Sequence, residues 1–395
     1  MKKILCLVLA LAMVFSLVAC GSDSTTTDDT AAAGDTASES TAEGAEVLKI
    51  GGVGPLTGAA AQYGNAVKNG AEIAVEEINA LGGLQIELNF QDDEGDSEKS
   101  INAYNNLKDW GMQLLFGPVT TNPAIAVASE AQNDGYFMLT GTASSESVIE
   151  TGDKIFRLCF ADPEQGVAIA DYIAENMADA TIGVLYDSSD AYSSGIREAF
   201  ETEAAAKGLN VVDTEAFTAD NKSDFTTQLQ LFQSNGVDLL VCPFYYSEIS
   251  LVMTQADKMG YDLTFFGADG MDGILTVPDF DATLAEGAYL MTPFSASSAD
   301  EATQSFTAKY QEKYGETPSQ FAADGYDCIY AIYQAAVDGG FTSDMTYDQV
   351  AELMVSQFTS MTVTGLTGEM TWLESGAVSK LPQAYVITDG VYAAA

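Results

Sequence analysis

The sequence predicts an α/β fold built as two doubly wound lobes, each formed around a parallel sheet. Short apolar runs alternate with longer amphipathic patterns along most of the chain, which is typical of parallel strands covered by helices on both faces. The alternation runs twice, with a turn region near residues 161–163 between the two series. The body from residue 46 to residue 395 is also longer than one hydrophobic core usually serves. Two lobes are therefore expected.

The elements follow in order from this periodicity. The first series starts with a β-branched apolar run at 47–53 and a helix at 63–81 that stops at two glycines. It continues with strands at 84–91, 113–116 and 136–139 and helices at 97–110 and 123–133. The second series predicts helices at 165–177, 194–207, 225–234 and 248–259 and strands at 181–186, 210–217, 237–242 and 264–266. The remainder is rich in helix, at 301–314, 321–337 and 347–358, and closes with segments at 366–372 and 384–391 that we expect to cross back between the lobes.

Residues 1–20 have the pattern of a secretory signal peptide. Lys2 and Lys3 precede an apolar run that ends in Leu17-Val18-Ala19-Cys20, and such a run is too short and wrongly flanked for a transmembrane helix. Cleavage before Cys20 would leave a thiol at the new N-terminus, where it can carry lipid. Residues 21–45 contain only Ser, Thr, Ala, Gly, Asp and Glu, so they cannot bury enough apolar surface to become ordered. We predict a signal peptide at 1–19 and a lipidated, disordered tether at 20–45.

The charge balance and the missing residue types exclude several functions. The chain has 15 lysines and arginines against 58 aspartates and glutamates, a net charge of −43, which repels nucleic acid and anionic membrane surfaces. It has no histidine, which removes Ser-His-Asp and Cys-His catalysis and every histidine-ligated metal site. Cys159, Cys242 and Cys328 lie in apolar surroundings and are expected to pack as small core residues rather than as disulfides.

Two loops superficially resemble cofactor or metal sites. Residues 51–58 are rich in glycine, but the spacing from Gly54 to Gly58 is one residue too long for a dinucleotide fingerprint. Residues 92–96 are acidic but lack the spacing of a calcium loop. The chain also lacks a phosphate-loop, a G-x-S-x-G and an S-x-x-K sequence. We therefore expect no cofactor, no metal and no enzymatic activity.

Two strand-to-helix loops are better candidates for a binding site, because ligands of open parallel sheets bind at the carboxyl ends of the strands. Residues 117–123, Gly-Pro-Val-Thr-Thr-Asn-Pro, follow an apolar strand and open a helix. Hydroxyls and free N–H groups at a helix N-terminus can hold a carboxylate without an arginine, although Thr121 could also act simply as a helix cap. Residues 139–145 bring a similar set of hydroxyls to the next strand end.

The order of these pieces resembles a known family. After the lipoprotein signal come Gly54-Pro55-Leu56-Thr57-Gly58, Gln62-Tyr63-Gly64, Asn69-Gly70-Ala71, Ile78-Asn79-Ala80-Leu81-Gly82-Gly83 and Asp92-Asp93. This series looks like the N-terminus of a branched-chain amino acid type ABC-transporter substrate-binding lipoprotein, the leucine/isoleucine/valine-binding protein family. The resemblance covers about residues 46–391, with Gly117-Pro118 and Tyr326-Asp327 in their usual places. It implies the type 1 periplasmic-binding-protein fold, with a three-strand hinge between lobe 1 (46–160 and 293–372) and lobe 2 (161–292 and 373–395).

The resemblance also implies ligand-binding residues in lobe 1. Thr121 matches the position whose hydroxyl and N–H hold the α-carboxylate of the ligand, and Thr120 assists it. Thr142 and Ser144 match a strand-end pair that holds the carboxylate and the α-ammonium. Thr142 departs from the family pattern, because a glycine or another small residue is common there. Tyr63 matches an aromatic residue near the side-chain pocket.

In lobe 2 the resemblance implies one acidic and two aromatic ligand-binding residues. Asp269 matches an acidic position that pairs with the α-ammonium, but it is one methylene shorter than the glutamate often found there. Tyr192 and Tyr245 match aromatic rings that line the pocket, and Ser193 replaces a usual glycine beside the first of them. The ordinary alternatives are a turn residue for Asp269 and core or lobe-interface packing for the tyrosines.

By this resemblance the protein captures a small amino acid, branched-chain or otherwise neutral, and delivers it by hinge closure to the permease of an ABC importer. A small amide or another zwitterion is an alternative ligand. A sensory ligand-binding module and a surface lipoprotein enzyme are alternative functions. We expect an exported monomer without a nucleic-acid partner, anchored by lipid to the outer face of the bacterial cytoplasmic membrane.

Overall fold

The computed structural model describes residues 45–395. The predicted signal peptide, Cys20 and nearly all of the predicted tether lie outside the described residues. Two parallel sheets, one in each half of the first 292 residues, confirm the predicted α/β fold with two doubly wound lobes. Lobe 1 contains the first sheet and lobe 2 contains the second.

The sheet of lobe 1 is parallel throughout. Its strands are β1 (Val47–Gly54), β2 (Gln85–Asp92), β3 (Leu114–Phe116), β4 (Met138–Thr140) and β5 (Ile155–Arg157), and its crossover helices are α1 (Ala61–Leu81), α2 (Ser97–Trp110), α3 (Thr121–Asp134) and α4 (Glu146–Ile149). The strand order is β2-β1-β3-β4-β5. The winding therefore reverses between β1 and β3, which opens a crevice at the carboxyl ends of these two strands.

The sheet of lobe 2 repeats this order and adds an antiparallel edge. Its parallel strands are β6 (Thr181–Asp187), β7 (Asn210–Phe217), β8 (Leu239–Cys242), β9 (Thr264–Gly267) and β10 (Tyr289–Thr292). Its helices are α5 (Asp162–Asn176), α6 (Ala191–Lys207), α7 (Thr226–Ser234) and α8 (Tyr246–Lys258). The last two strands, β13 (Gln383–Thr388) and β14 (Val391–Ala394), complete the order β14-β13-β10-β9-β8-β6-β7.

The segment between these parts of lobe 2 packs on lobe 1. It consists of α9 (Glu301–Tyr314), α10 (Gln320–Asp338), α11 (Tyr347–Phe358) and a hairpin of β11 (Thr362–Gly365) and β12 (Gly368–Thr371). Helix α10 lies against α1 with the two backbones nearly in contact. A Cβ atom on Gly70 would lie 1.8 Å from the carbonyl oxygen of Ala322, and one on Gly325 would lie 2.2 Å from that of Val67. Any side chain at these glycines would force the helices apart.

The predicted elements correspond closely to the observed ones, with a few differences. The sequence pattern predicts neither helix α4 nor strands β5, β10 and β11, and the predicted segment 384–391 is divided by a turn into β13 and β14. Helix α5 begins at Asp162, inside the predicted turn region, because Pro163 is compatible with the first turn of a helix. Cys159, Cys242 and Cys328 are buried and free, as expected. Between residues 45 and 395, no helix combines the length and the apolarity that a membrane span requires.

Three connections join the lobes, at residues 158–161, 293–300 and 372–382. The third is fixed to lobe 1 by a buried lysine. The Nζ atom of Lys380 lies 2.6 Å from Oγ1 of Thr367 and 3.4 Å from Oδ1 of Asp324, and both ionic side chains are almost fully inaccessible. At the start of the same connection, the indole N–H of Trp372 donates to the carbonyl of Arg157 at 2.8 Å. The ends of the lobes are thus held together at a common point.

Candidate functional site

The loops at the carboxyl ends of the two sheets face each other across a cleft between the lobes. The sequence-predicted site residues all lie on these loops or on the adjoining helices: Tyr63, Thr120, Thr121, Thr142, Ser144, Tyr192, Tyr245 and Asp269. Tyr245 is half-buried and the other seven are buried. Buried polar side chains at strand ends are unusual unless they serve a binding site or a hydrogen-bond network.

On the lobe 1 side, Thr120 and Thr121 begin helix α3. Thr120 is the N-cap residue, but its side chain makes no capping hydrogen bond, and its buried Oγ1 has no partner among the described residues. Pro123 has no N–H group, so the free N–H groups of the first turn belong to Thr121 and Asn122. The start of α3 therefore presents an uncompensated positive end to the cleft.

The next strand end supplies two hydroxyls that behave differently. Thr142 donates from Oγ1 to the carbonyl of Val119 at 2.6 Å, so this hydroxyl ties the loops after β3 and β4 together. The buried Oγ of Ser144 has no hydrogen-bond partner in the described chain. Of the two hydroxyls, only that of Ser144 still has its proton available to a ligand.

On the lobe 2 side, Asp269 is held by residues of two helices, α6 and α5. The hydroxyl of Tyr192 donates to its Oδ1 at 2.6 Å and accepts from the N–H of Gly270 at 2.8 Å. The N–H of Asp269 donates to Oε1 of Gln165 at 2.9 Å. Tyr245 stacks on Tyr192 with ring centroids 5.3 Å apart. The carboxylate of Asp269 is thus fixed in position beside two aromatic rings.

Tyr63 does more than line the pocket, because its hydroxyl forms hydrogen bonds that join the two lobes. It donates to the carbonyl of Gly270 and accepts from the N–H of Tyr246 at 3.2 Å. Tyr246 reciprocates: its hydroxyl donates to the carbonyl of Ala59 at 2.8 Å and accepts from the N–H of Gln62 at 3.2 Å. Two tyrosines, one on each lobe, therefore each bond the backbone of the opposite lobe.

The sequence reasoning missed three further residues of the cleft: Arg157, Asp162 and Gln165. Both carboxylate oxygens of Asp162, Nε2 of Gln165 and Nε of Arg157 are buried without a partner in the described chain. Asp162 and Gln165 are three residues apart, so they lie on the same face of α5 at its N-terminal end. The spacing Asp-x-x-Gln at a helix start was the available signal, but residues 161–163 were interpreted as a turn.

Burial dominates the electrostatics of the cleft carboxylates. It raises the pKa of Asp269 to about 6, although the hydrogen bond that Tyr192 donates to the carboxylate opposes the shift. It raises the pKa of Asp162 well above the usual value, and the nearby charge of Asp269 adds to this effect. The Ser144 hydroxyl is close enough to lower that pKa partly, but the pair falls short of hydrogen-bond geometry. The ionised forms of both carboxylates are therefore poorly compensated by the protein.

The cleft offers hydrogen-bond donors, acceptors and aromatic faces. Within residues 45–395, no group of three or more acidic or cysteine side chains is arranged to hold a metal ion. What the arrangement can do is bind a small molecule that brings a positive group to the carboxylates of Asp162 and Asp269 and a negative group to the start of α3.

The chain matches the family model described as periplasmic binding protein over residues 47–388. It is 32% identical over 228 residues to the Leu/Ile/Val-binding protein homolog 3 of Brucella melitensis, a match that covers 57% of this chain and 61% of that protein. It is 30% identical over 277 residues to a leucine-, isoleucine-, valine-, threonine- and alanine-binding protein of Pseudomonas aeruginosa, covering 69% of this chain and 74% of the relative. The matched part thus spans about three fifths of the length of the Brucella relative.

A solved structure gives the same picture in three dimensions. The branched-chain amino acid transporter substrate binding protein LivJ from Streptococcus pneumoniae, in complex with isoleucine, superposes with a TM-score of 0.79 at 27% sequence identity. The superposition covers 88% of this chain and 98% of LivJ.

The unpartnered carboxylate of Asp162 gives a prediction for stability. Burial raises the pKa of Asp162 above the value of about 3.9 expected in the unfolded chain, so this residue lowers the stability of the ligand-free protein as pH rises above about 4. Asparagine carries no charge at any pH. We expect Asp162→Asn to raise the free energy of unfolding by about 1–3 kcal/mol at pH 8, with the difference vanishing near pH 4, as measured by urea denaturation.

A matched control for this prediction is Asp327→Asn. Asp327 is equally buried, but its carboxylate accepts from the N–H groups of Leu366 and Thr367 and from the hydroxyl of Thr367. Its replacement should therefore destabilise the protein at pH 8. A loss of stability in Asp162→Asn similar to that in Asp327→Asn would show that Asp162 is a structural residue.

Proposed function

We propose, since this chain belongs to the periplasmic binding protein family, that it captures a free α-amino acid outside the cytoplasm and delivers it to the permease of an ABC importer. The ligands after which its relatives are named support leucine, isoleucine or valine as the first ligand class. Another neutral amino acid, a small amide or another zwitterion is the alternative. The family is one of binding proteins rather than enzymes, and we propose that the ligand is released unaltered.

The observation that carries this proposal is the set of buried polar groups without protein partners between the lobes. Ser144 Oγ, both oxygens of Asp162 and Nε2 of Gln165 belong to it. A buried polar group without a hydrogen bond costs about 1–3 kcal/mol, and more when charged. A small zwitterion supplies donors and acceptors of both kinds at once, which a purely apolar or purely anionic ligand does not.

The charges of the cleft suggest how the ligand lies. The N–H groups at the start of α3, with the hydroxyl of Thr121, suit the α-carboxylate. Asp269, whose carboxylate Tyr192 holds in place, suits the α-ammonium, and Asp162 offers a second acceptor for it. Ser144 can donate to the carboxylate or accept from the ammonium. The rings of Tyr192 and Tyr245 cover the ligand from lobe 2.

Capture by hinge closure follows from the bonds between the lobes. We divide the body into lobe 1 at 46–160 and 293–372 and lobe 2 at 161–292 and 373–395, so that the three connections form the hinge. The Tyr63 and Tyr246 hydroxyls, together with Asn122, which bonds the backbone of Ser189 and Ala191, then stabilise the closed form only. The more these hydrogen bonds stabilise the closed form, the higher the apparent affinity for a ligand that binds that form.

The orientation predicts a ranking of two substitutions. At pH 7.5 Asp269 is ionised, and removing a carboxylate buried against an ammonium costs about 2–5 kcal/mol, so Asp269→Ala should weaken binding by more than about 30-fold. Thr121→Val should cost less, about 1–1.5 kcal/mol, because the backbone N–H groups of α3 remain. Calorimetric titration with leucine and with the other neutral amino acids measures both. Unchanged affinity in Asp269→Ala would remove Asp269 from the site.

The reciprocal tyrosines predict an effect on closure. Tyr246→Phe removes two hydrogen bonds between the lobes without removing a proposed ligand contact, and we expect about tenfold weaker binding with faster dissociation. The matched control is Tyr261→Phe, which loses a hydrogen bond to the carbonyl of Val237 inside lobe 2 and should bind like the wild type. Equal affinities for the two variants in stopped-flow and equilibrium titrations would contradict a role of Tyr246 in closure.

The family is extracytoplasmic, and we further propose that lipid on Cys20 anchors a monomeric body to the outer face of the cytoplasmic membrane. The support is the signal-like segment that ends in Leu17-Val18-Ala19-Cys20. Cys20→Ala should release the protein from the membrane fraction or leave it unprocessed, as seen by fractionation and mass spectrometry. Cys159→Ala serves as the control, since this cysteine is buried in the body. Unchanged membrane attachment of Cys20→Ala would refute the anchor.

A further inference from the structure

A chamber of about 250 Å³ lies between the lobes next to the proposed amino-acid site. Lobe 1 contributes Thr120 and Pro123 to its lining, and lobe 2 contributes Phe244 and Tyr245. Tyr245 lines both the chamber and the proposed site, because its ring also stacks on Tyr192, which holds Asp269. Since about 10–15 Å³ of such space is enough to hold one water molecule, the chamber has room for several.

The polar part of the lining is acidic. Four carboxylates and one lysine belong to it: Glu94, Asp187, Asp190, Glu248 and Lys222. Two of the carboxylates are neutralised, Glu248 by Lys222 at 2.9 Å and Glu94 by Lys99 at 2.6 Å. Asp187 and Asp190 make no ion pair with any residue of the described chain. The chamber therefore has two carboxylates without an ion-pair partner, and Lys222, already paired with Glu248, only partly offsets the charge of Asp190.

Both of these carboxylates are fixed in place by the protein. Asp187 accepts from the N–H and the hydroxyl of Ser189. Asp190 is the N-cap of α6, where it accepts from the N–H of Tyr192. Burial raises the pKa of Asp190 to about 6, while the Tyr245 hydroxyl beside it opposes the shift. At neutral pH the group is ionised, and a cation in the chamber would stabilise that form.

An independent observation marks the chamber as a place where a ligand binds. Thr120 is only 6% exposed, it lines the chamber, and its Oγ1 has no hydrogen-bond partner in the described chain. A buried hydroxyl of this kind is normally satisfied by a protein group, by water or by a ligand. Thr120 stands beside Thr121, which is proposed to hold the α-carboxylate. The chamber thus lies next to the proposed binding position of the α-carboxylate.

We propose that this chamber receives the side chain of the bound amino acid and that it favours a basic side chain, one that ends in an ammonium group, over an apolar side chain of equal length. This inference rests on the proposed function, since it assumes that the α-amino acid head lies between Asp269 and the start of α3, but it replaces the neutral side chain of that proposal by a basic one. The ammonium lies between Asp187 and Asp190 and donates to them, while its methylene groups contact Phe244 and Tyr245. The site then takes lysine or ornithine more tightly than the branched-chain amino acids.

The test compares L-lysine and L-ornithine with L-norleucine, which has an apolar side chain of similar length, by calorimetry on the mature protein at pH 7.5. We expect the basic amino acids to bind at least tenfold more tightly. In Asp190→Asn the ratio of lysine to norleucine affinity should fall about tenfold, while the fold is kept because asparagine caps helices as well as aspartate. Asp300→Asn, which alters the N-cap of α9 far from the chamber, should leave the ratio unchanged.

The outcomes separate this inference from the proposed function. Binding of leucine or norleucine as tight as that of lysine overturns the inference and leaves the proposed function in place. A lysine preference that persists in Asp190→Asn also overturns it. If none of these amino acids nor any other binds, both the inference and the proposed function are wrong.

Discussion

Burial of carboxylates between two lobes is the constraint on which the rest of this structure depends. Asp269 is held by Tyr192 and Gln165, yet burial still raises its pKa to about 6. Asp162 has no hydrogen-bond partner at all in the described chain. The closed cleft therefore leaves buried carboxylate oxygens without hydrogen-bond donors, and a ligand with an ammonium group would supply them. Buried carboxylates without partners lower the stability of the ligand-free protein, and proteins commonly tolerate such a cost at binding sites.

The framework around the cleft supplies what this arrangement needs. The two doubly wound sheets place their strand ends opposite each other, and the glycine contacts between α1 and α10 bring lobe 1 together at the side of the cleft. The buried Lys380 fixes the third connection to Asp324 and Thr367. The reciprocal Tyr63 and Tyr246 hydrogen bonds join the two lobes. Anchored connections and a few bonds across the cleft are what the proposed hinge closure requires.

Much of the fold could be predicted because its elements carry strong periodicity. Helices α2, α9 and α11 and strand β7 have the bounds that the hydrophobic pattern predicts. Strands β5, β10 and β11 have three or four residues, too few to show a period. The equally short β3, β4, β8 and β9 could be predicted only because each follows a helix in the regular alternation. The strand-end position of residues 117–123 and 139–145 points to the lobe 1 side of the site, whereas Tyr63, Tyr192, Tyr245 and Asp269 could be assigned to it only through the family resemblance. The Asp-x-x-Gln spacing marks Asp162 as a helix-start residue, but its role and that of the Tyr63 hydroxyl depend on contacts with residues distant in the sequence.

A crystal structure of the protein with its tightest-binding amino acid would show whether the buried carboxylates hold the ligand. We predict one ligand between the lobes, with its α-ammonium nitrogen about 2.7–3.2 Å from a carboxylate oxygen of Asp269. The α-carboxylate should lie at the start of α3, against the N–H group of Thr121. A ligand bound in the reverse orientation, or one that leaves Asp269 and Ser144 without contact, would contradict the account.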